Sequence, residues 1–279
     1  MKKLILLLFL FPILTYSQGD LLAGVETPVT KEKVTSAFKA LKIVNLESTK
    51  LAAKGDLYFV VAHRFGSVQD GFEGFYGLDN ANTQIKFIYG LTNGLNVSAG
   101  RSEFAYDFAT KYTLFPQIKD GFPVTIAGFN SLSINNKLKE NLYPKLEFKN
   151  RLTYVAQLLI SRKFTENLSL EIVPTFFHEN FVENTDQSNT QYAVGFGGRY
   201  KFSKRWSLNV DYAAHLNRAS TSLYNNPLSI GFDLETGGHV FQMHFTSSQA
   251  IDEAGYLGRT TGDWAKGDVF FGFNLSRVF

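Results

Sequence analysis

The sequence predicts an all-β protein, a single antiparallel transmembrane β-barrel of about twelve strands behind an export signal. Three observations carry this. Apolar and polar residues alternate over segments long enough to cross a bilayer. Short and long connections alternate between those segments. Aromatic residues make up 15 % of the chain, with 27 Phe and 13 Tyr, the load that aromatic girdles at two membrane interfaces require.

The first residues read as a secretory signal. Lys2 and Lys3 precede an apolar stretch, Leu4 to Leu14, and Thr15 and Ser17 supply small side chains at the cleavage positions. The apolar stretch is too short for a spanning helix, which needs about 20 residues. Residues 1–17 are therefore expected to leave, with Gln18 as the new N-terminus. The remaining hydrophobic residues, part of 44 % overall, lie in short alternating runs, so only strands closed into a barrel could span lipid with every backbone group satisfied.

Composition excludes several classes. The chain has no Cys, which removes disulfides, thiolate nucleophiles, thiolate metal sites and a lipoprotein anchor. Loss of Lys2 and Lys3 leaves 26 Lys and Arg against 25 acidic residues, scattered without a basic stripe, so no nucleic-acid partner is expected. No cofactor is called for.

Residues 18–55 form a distinct N-terminal segment. Val34, Phe38, Leu41 and Ile43 fall near helical spacing, which predicts a weak helix over Lys33 to Asn45. The segment reads as periplasmic or inserted in the lumen, with an unstructured lead-in as the alternative.

The barrel is expected over 56–279. Strands are predicted near 57–65, 83–89, 95–103, 107–115, 123–133, 148–161, 168–180, 191–203, 207–217, 228–236, 239–248 and 268–279. In the ninth, Leu208, Val210, Tyr212, Ala214 and Leu216 alternate with Asn209, Asp211, Ala213 and His215. In the eighth, Tyr192, Val194, Phe196, Tyr200 and Phe202 oppose Ala193, Gly195, Gly197, Arg199 and Lys201. A soluble sandwich also alternates, but most of these segments approach the 9–11 residues of a tilted membrane strand, roughly twice the usual soluble length. Short turns at Gly90–Gly94, Pro116–Phe122, Arg162–Asn167, Ser203–Trp206 and Thr236–Gly238 would be periplasmic. The links 66–82, 134–147, 181–190, 218–227 and 249–267 would be extracellular, with a short exception near Glu103–Tyr106. The last strand carries Val269, Phe271, Phe273, Leu275 and Phe279 on one face, and its terminal aromatic resembles the signal that barrel-assembly machinery reads. That machinery and the outer-membrane bilayer are the expected partners.

Several segments carry a family resemblance. They are Ile43-Val44-Asn45, Lys54-Gly55, His63-Arg64-Phe65-Gly66, Tyr76-Gly77-Leu78-Asp79, Ala156-Gln157-Leu158-Leu159-Ile160, Gly197-Gly198-Arg199-Tyr200-Lys201, Thr261-Gly262-Asp263-Trp264 and Asn274-Leu275-Ser276-Arg277-Val278-Phe279. From about Ser36 onward the chain resembles a family of uncharacterised outer-membrane barrels of Bacteroidota, a domain of unknown function. The resemblance implies a barrel and an outer-membrane address, and brings no catalytic residue.

Chemistry is sparse. His63, His178, His215, His239 and His244 fall on separate strands or turns without ligand spacing. His178-Glu179 lacks a positioned serine, so catalysis is not expected. Glu183 and Asp186 lack the alternating ligands of a calcium loop, and no helix follows Gly195-x-Gly197-Gly198 to make a phosphate loop. Small residues there fit a thinned wall or an inserted segment. Alternation aims Glu171, Arg199, Lys201 and Asp211 into the lumen. The turn at Ser203–Trp206 places Arg199 opposite or diagonal to Asp211, and Lys201 should approach Glu171. This charge cluster reads as a selectivity ring or as a salt network holding a narrow barrel shut, the network being preferred. The leading functional expectation is a small-solute channel or uptake component. A docking barrel presenting loops 66–82 and 249–267 is second and a barrel enzyme third. The substrate is not legible.

Overall fold

The computed structural model describes residues 32–279; the predicted signal and the start of the N-terminal segment lie outside them. Twelve strands form one closed antiparallel barrel, each paired with its sequence neighbours and β1 with β12. They are β1 Leu57–Ser67, β2 Ala81–Thr92, β3 Leu95–Ser102, β4 Ala105–Phe115, β5 Thr125–Asn135, β6 Leu152–Lys163, β7 Leu168–Glu179, β8 Thr190–Lys201, β9 Trp206–His215, β10 Leu228–Thr236, β11 His239–Thr246 and β12 Phe270–Val278. Each predicted strand has its counterpart. The largest boundary change is at β6, where Phe148–Arg151 is a 3-10 turn before the strand. Its Glu147 and Asn150 bond reciprocally with the backbone, which favours a tight turn over extension.

The alternation sets the two faces. Phe87, Phe108, Tyr154, Phe176, Phe196, Tyr212, Phe232 and Phe245 are exposed on the outside, while Arg64, Asp107, Lys111, Glu171, Asp211 and Asn274 are buried inside. An apolar exterior around a polar interior is the inverse of a water-soluble fold and is stable only with hydrocarbon outside. No helix of the described residues is long and apolar enough to cross a membrane, so the strands must do it.

Short connections cluster at the end where β1 begins, called here the near end, and longer ones at the far end, except for the tight β3–β4 turn there. The far-end connection between β11 and β12 contains one short helix, α1, Glu253–Gly258.

The predicted helix over Lys33 to Asn45 is absent. Residues 33–55 instead make a bent excursion into the lumen. Val34 N–H donates to Gln117 O near the near-end turn, and Gly55 N–H donates to Gly90 O on the way back to β1. Between them a small hairpin forms, with Ile43 N–H donating to Leu46 O and Ser48 N–H to Leu41 O, so Val44 and Asn45 are its tip. Inside a polar wall the backbone bonds wall side chains and needs no helical ladder of its own. Two of the residues read as a helix face, Phe38 and Ile43, join Leu46 in a plug core that packs with Phe129, Val155, Leu159, Val173 and Phe177 of the wall.

Candidate functional site

The lumen is filled from both ends, and one wall carboxylate ties the two fillings together. Asp211, 1 % exposed on β9, accepts the main-chain N–H groups of Val44, Asn45 and Leu46 on Oδ2 at 3.1, 2.7 and 3.0 Å. Three successive N–H groups converging on one oxygen form an anion-binding nest. The other oxygen, Oδ1, accepts the Tyr256 hydroxyl of α1 at 2.8 Å. The hairpin therefore meets the far-end insert at this residue.

The rest of the tip is satisfied as completely. Asn45 donates through Nδ2 to Ser229 Oγ at 2.9 Å and accepts from Arg64 on Oδ1 at 2.8 Å. Asn274 Nδ2 donates to Val44 O at 3.0 Å and Gln242 Nε2 to Ile43 O at 2.9 Å. On the limbs, Lys111 Nζ donates to Leu41 O at 2.9 Å and Ser48 O at 3.0 Å, and pairs with Glu47 at 2.6 Å. Thr49 N–H donates to Glu171 Oε2 at 3.0 Å.

Glycine makes room for the insert. A Cβ on Gly197 would lie 2.1 Å from Ile43 Cδ1, and one on Gly195 would lie 2.7 Å from Leu46 Cδ1. These β8 glycines are the space into which the hairpin's apolar side chains press.

The far-end insert is anchored by charge. Asp252 caps α1, accepting Gly255 N–H at 2.8 Å, and Arg259 pairs with Glu179 and Asp252. Glu253 pairs with Lys42 of the hairpin at 2.8 Å. Burial works against the charge on both, yet Glu253 and Glu47 raise the Lys42 pKa, and Lys42 and Lys86 bring Glu253 down to about 2. Asp252 has no such cation dominating it. Burial, with Asp107 adding, pushes it up to about 6 against the Gly255 N–H. Burial followed by the Asp211 carboxylate likewise raises the Tyr256 hydroxyl. Between hairpin and wall, a void of about 20 Å³ beside Leu41, Glu47, Lys86 and Phe129 has room for about one water.

The four charges expected to cluster do not pair with one another. Glu171, Arg199 and Asp211 are buried, and the register sets Arg199 opposite Asn209, which leaves Asp211 diagonal to it as expected but without a bond between them. Arg199 Nε donates to Ser207 Oγ at 3.1 Å, while Asp211 serves the hairpin. Lys201 lies opposite Ser207 and Glu171 opposite Gly197, and no ion pair joins them among the described residues. The expected Arg199–Asp211 and Lys201–Glu171 contacts are thus corrected: each acid is occupied by backbone of the inserted segment. Lys111, Arg64, Gln242, Asn274 and Tyr256 were missed. The inward alternation of β1, β4, β11 and β12 carried a signal for the first four.

Residues weighed for other chemistry have ordinary partners. His178 Nδ1 lies 2.9 Å from Thr190 Oγ1 on the outer face. Asp186 accepts from Thr221 at 2.8 Å, and Glu183 faces the Tyr143 hydroxyl at 3.5 Å. The loop 249–267 is not simply presented outward, because Ile251, Ala254, Tyr256, Leu257 and Thr260 are buried.

A closed barrel with an apolar exterior and a filled polar interior defines a plugged membrane β-barrel. Residues 38–279 match the family model described as "Membrane bound beta barrel domain (DUF5777)", and the chain belongs to that family. The match includes the hairpin as well as the strands. No curated protein matches the chain. Among solved structures it is similar to a KdgM porin in complex with disordered oligogalacturonate, at 9 % identity over 80 % of this chain and 99 % of that one, TM-score 0.50. A NanC porin gives 10 % identity over 80 % and 98 %, TM-score 0.48. An outer membrane channel from Pseudomonas putida F1 gives 12 % over 82 % and 97 %, TM-score 0.49. Such identities speak to the fold alone.

Proposed function

We propose that this protein is an outer-membrane barrel that works closed, as a docking barrel whose resting lumen does not conduct. The observation that carries the reading is Asp211, which holds the hairpin tip and α1 on one carboxylate and so blocks the lumen from both sides. The outer-membrane address is supported by the membrane-barrel family and by the fold shared with a KdgM porin, and it makes the near end periplasmic. The resemblance to barrels of Bacteroidota fits the same address. Recognition by barrel-assembly machinery through Phe279 belongs to this reading too.

Docking has a surface. The far-end loop after β1 exposes Phe72 at 84 %, Phe75 at 56 % and Tyr76 at 52 %. Phe75 and Tyr76 hold φ of 46° and 53°, a left-handed backbone that bulky residues adopt only under constraint. Strained, solvent-facing aromatics fit an interaction role better than a stabilising one.

A gated small-solute channel is the second reading. Its support is that the hairpin's anchors, Asp211, Lys111 and Glu171, are polar and replaceable by water. Conductance in a planar bilayer separates the two. The closed barrel should be silent as wild type and should stay silent on Asp211→Asn. Silence in the wild type with steady openings in Asp211→Asn favours the gate. Stable wild-type openings would sink both readings.

A further inference from the structure

The outer face carries few polar side chains, and nearly all are accounted for. His63 Nδ1 lies 2.7 Å from Thr83 Oγ1 and His178 Nδ1 lies 2.9 Å from Thr190 Oγ1. Arg101, Arg162, His239 and Arg277 stand at or beside strand ends, where a long cationic side chain reaches the interface. Thr110 and Asn130 differ. They are direct cross-strand partners on β4 and β5. Asn130 is central in β5, Thr125–Asn135, and neither side chain has a hydrogen-bond partner among the described residues.

The same stretch of wall is indented. A groove of about 480 Å³ runs along the outer face, floored by Gly128, Asn130, Ala156, Leu158, Pro174 and Val194. Pro174 has no N–H to give, and the β6–β7 pairing passes from Gln157↔Thr175 to Ile160↔Ile172 without a pair between. An unpartnered amide and an interrupted ladder therefore meet in one depression facing hydrocarbon, with the Thr110 hydroxyl across the strand from the amide. Acyl chains cannot satisfy any of them. A second protein surface can, and the small, exposed Ala156 lets two backbones come close. An amide both donates and accepts, so Asn130 can bond its own copy across a two-fold axis.

We propose that a second copy of this chain docks in this groove, making a two-fold dimer through the outer faces of β4–β8 with the two Asn130 side chains at its centre. This goes beyond the docking reading, which concerns the far-end loops and stands or falls separately. The chain has no native Cys, so single cysteines report cleanly. Full-length Ala156→Cys, reconstituted in phospholipid vesicles and mildly oxidised, should give a covalent dimer. Met243→Cys, on the outer face of β11, should not. Adding Asn130→Leu to the Ala156→Cys chain should weaken dimerisation about tenfold, the factor that 1–2 kcal/mol of interhelical-type polar bonding implies. Asn130→Leu places an apolar side chain on a lipid-facing site, so the barrel should still fold and keep its heat-modifiable migration. Cross-linking that is equal at both cysteines, or unchanged by Asn130→Leu, overturns the proposal. So does native mass spectrometry showing only folded monomer, including monomer with a phospholipid retained in the groove.

Discussion

Asp211 accepts four donors, three from the hairpin backbone and one from Tyr256. Removing it orphans all four at a site without bulk water, where an unsatisfied group costs about 1–3 kcal/mol. Asp211→Ala should therefore lose about 3–5 kcal/mol, within the range for breaking one side of a buried charged contact. Urea unfolding in micelles measures it, and a loss below about 1 kcal/mol would show the lumen to be wet. Alternation along β9 was enough to place this carboxylate inside. Its partner was not legible, because the N–H groups it binds belong to Val44, Asn45 and Leu46, which have no polar side chain in common. A nest is written in backbone geometry, so residue types do not announce it.

At the scale of elements, β8 shows two faces with opposite tolerances. Phe196→Arg should cost about 2–4 kcal/mol if the site lies near the bilayer midplane. Gly197→Leu leaves the outer face intact but collides with Ile43, so the strain should fall on the hairpin, with about 1–3 kcal/mol for overpacking. Faster amide exchange at 43–48 with unchanged exchange in β8 would be the expected signature. Uniform protection across both would refute it.

Helix α1 should respond to pH in two stages. Asp252 has its folded pKa pushed up to about 6, so its contribution is present below the unfolded carboxylate value and is lost as pH rises through 6. Glu253 has its folded pKa brought down to about 2, so its contribution is present above the unfolded value and is lost as pH falls through 2. Burial and then Asp107 raise Asp252, while Lys42 and Lys86 outweigh burial at Glu253, and Arg259 also pairs with Asp252. Acidifying from pH 7 to 5 should therefore raise the amide protection factors in 253–258, taken after correction for the base-catalysed intrinsic rate, and protection factors that fall over that range would reverse the assignment. The twelve strands were legible because lipid on one side and polar lumen on the other impose a period of two. The hairpin was misread as a helix because Val34, Phe38, Leu41 and Ile43 are apolar at helical spacing. Their burial answers to a surrounding wall that periodicity within one segment does not see.

For the whole molecule, loop length alone made all the long links extracellular, 134–147 and 249–267 among them. Burial now divides them. Protease added to intact cells should cut within 134–147, where Leu142 is exposed, and should spare 251–260. Cutting at Gly90–Gly94 from outside would invert the orientation. Strand count and loop sorting made the architecture readable from sequence. The filling of the lumen was not, since it depends on contacts between residues far apart in the chain, such as Lys42 with Glu253.

The hairpin runs directly into β1, and α1 lies just before β12; these are the two strands whose pairing closes the cylinder. Each edge of the final seam therefore carries its own stopper. A nascent sheet that zips β1 to β12 before the stoppers are seated would enclose unpaired carboxylates and a half-empty interior. One that seats them first brings both edges into register, because Asp211 and the Lys42–Glu253 pair draw the two flanking segments together. The plug is thus also a clamp on the seam, because the contacts that fill the lumen join the segments flanking its two strands. Escape afterwards requires several buried contacts to break together, which makes residence of the stoppers a matter of slow kinetics as well as of equilibrium.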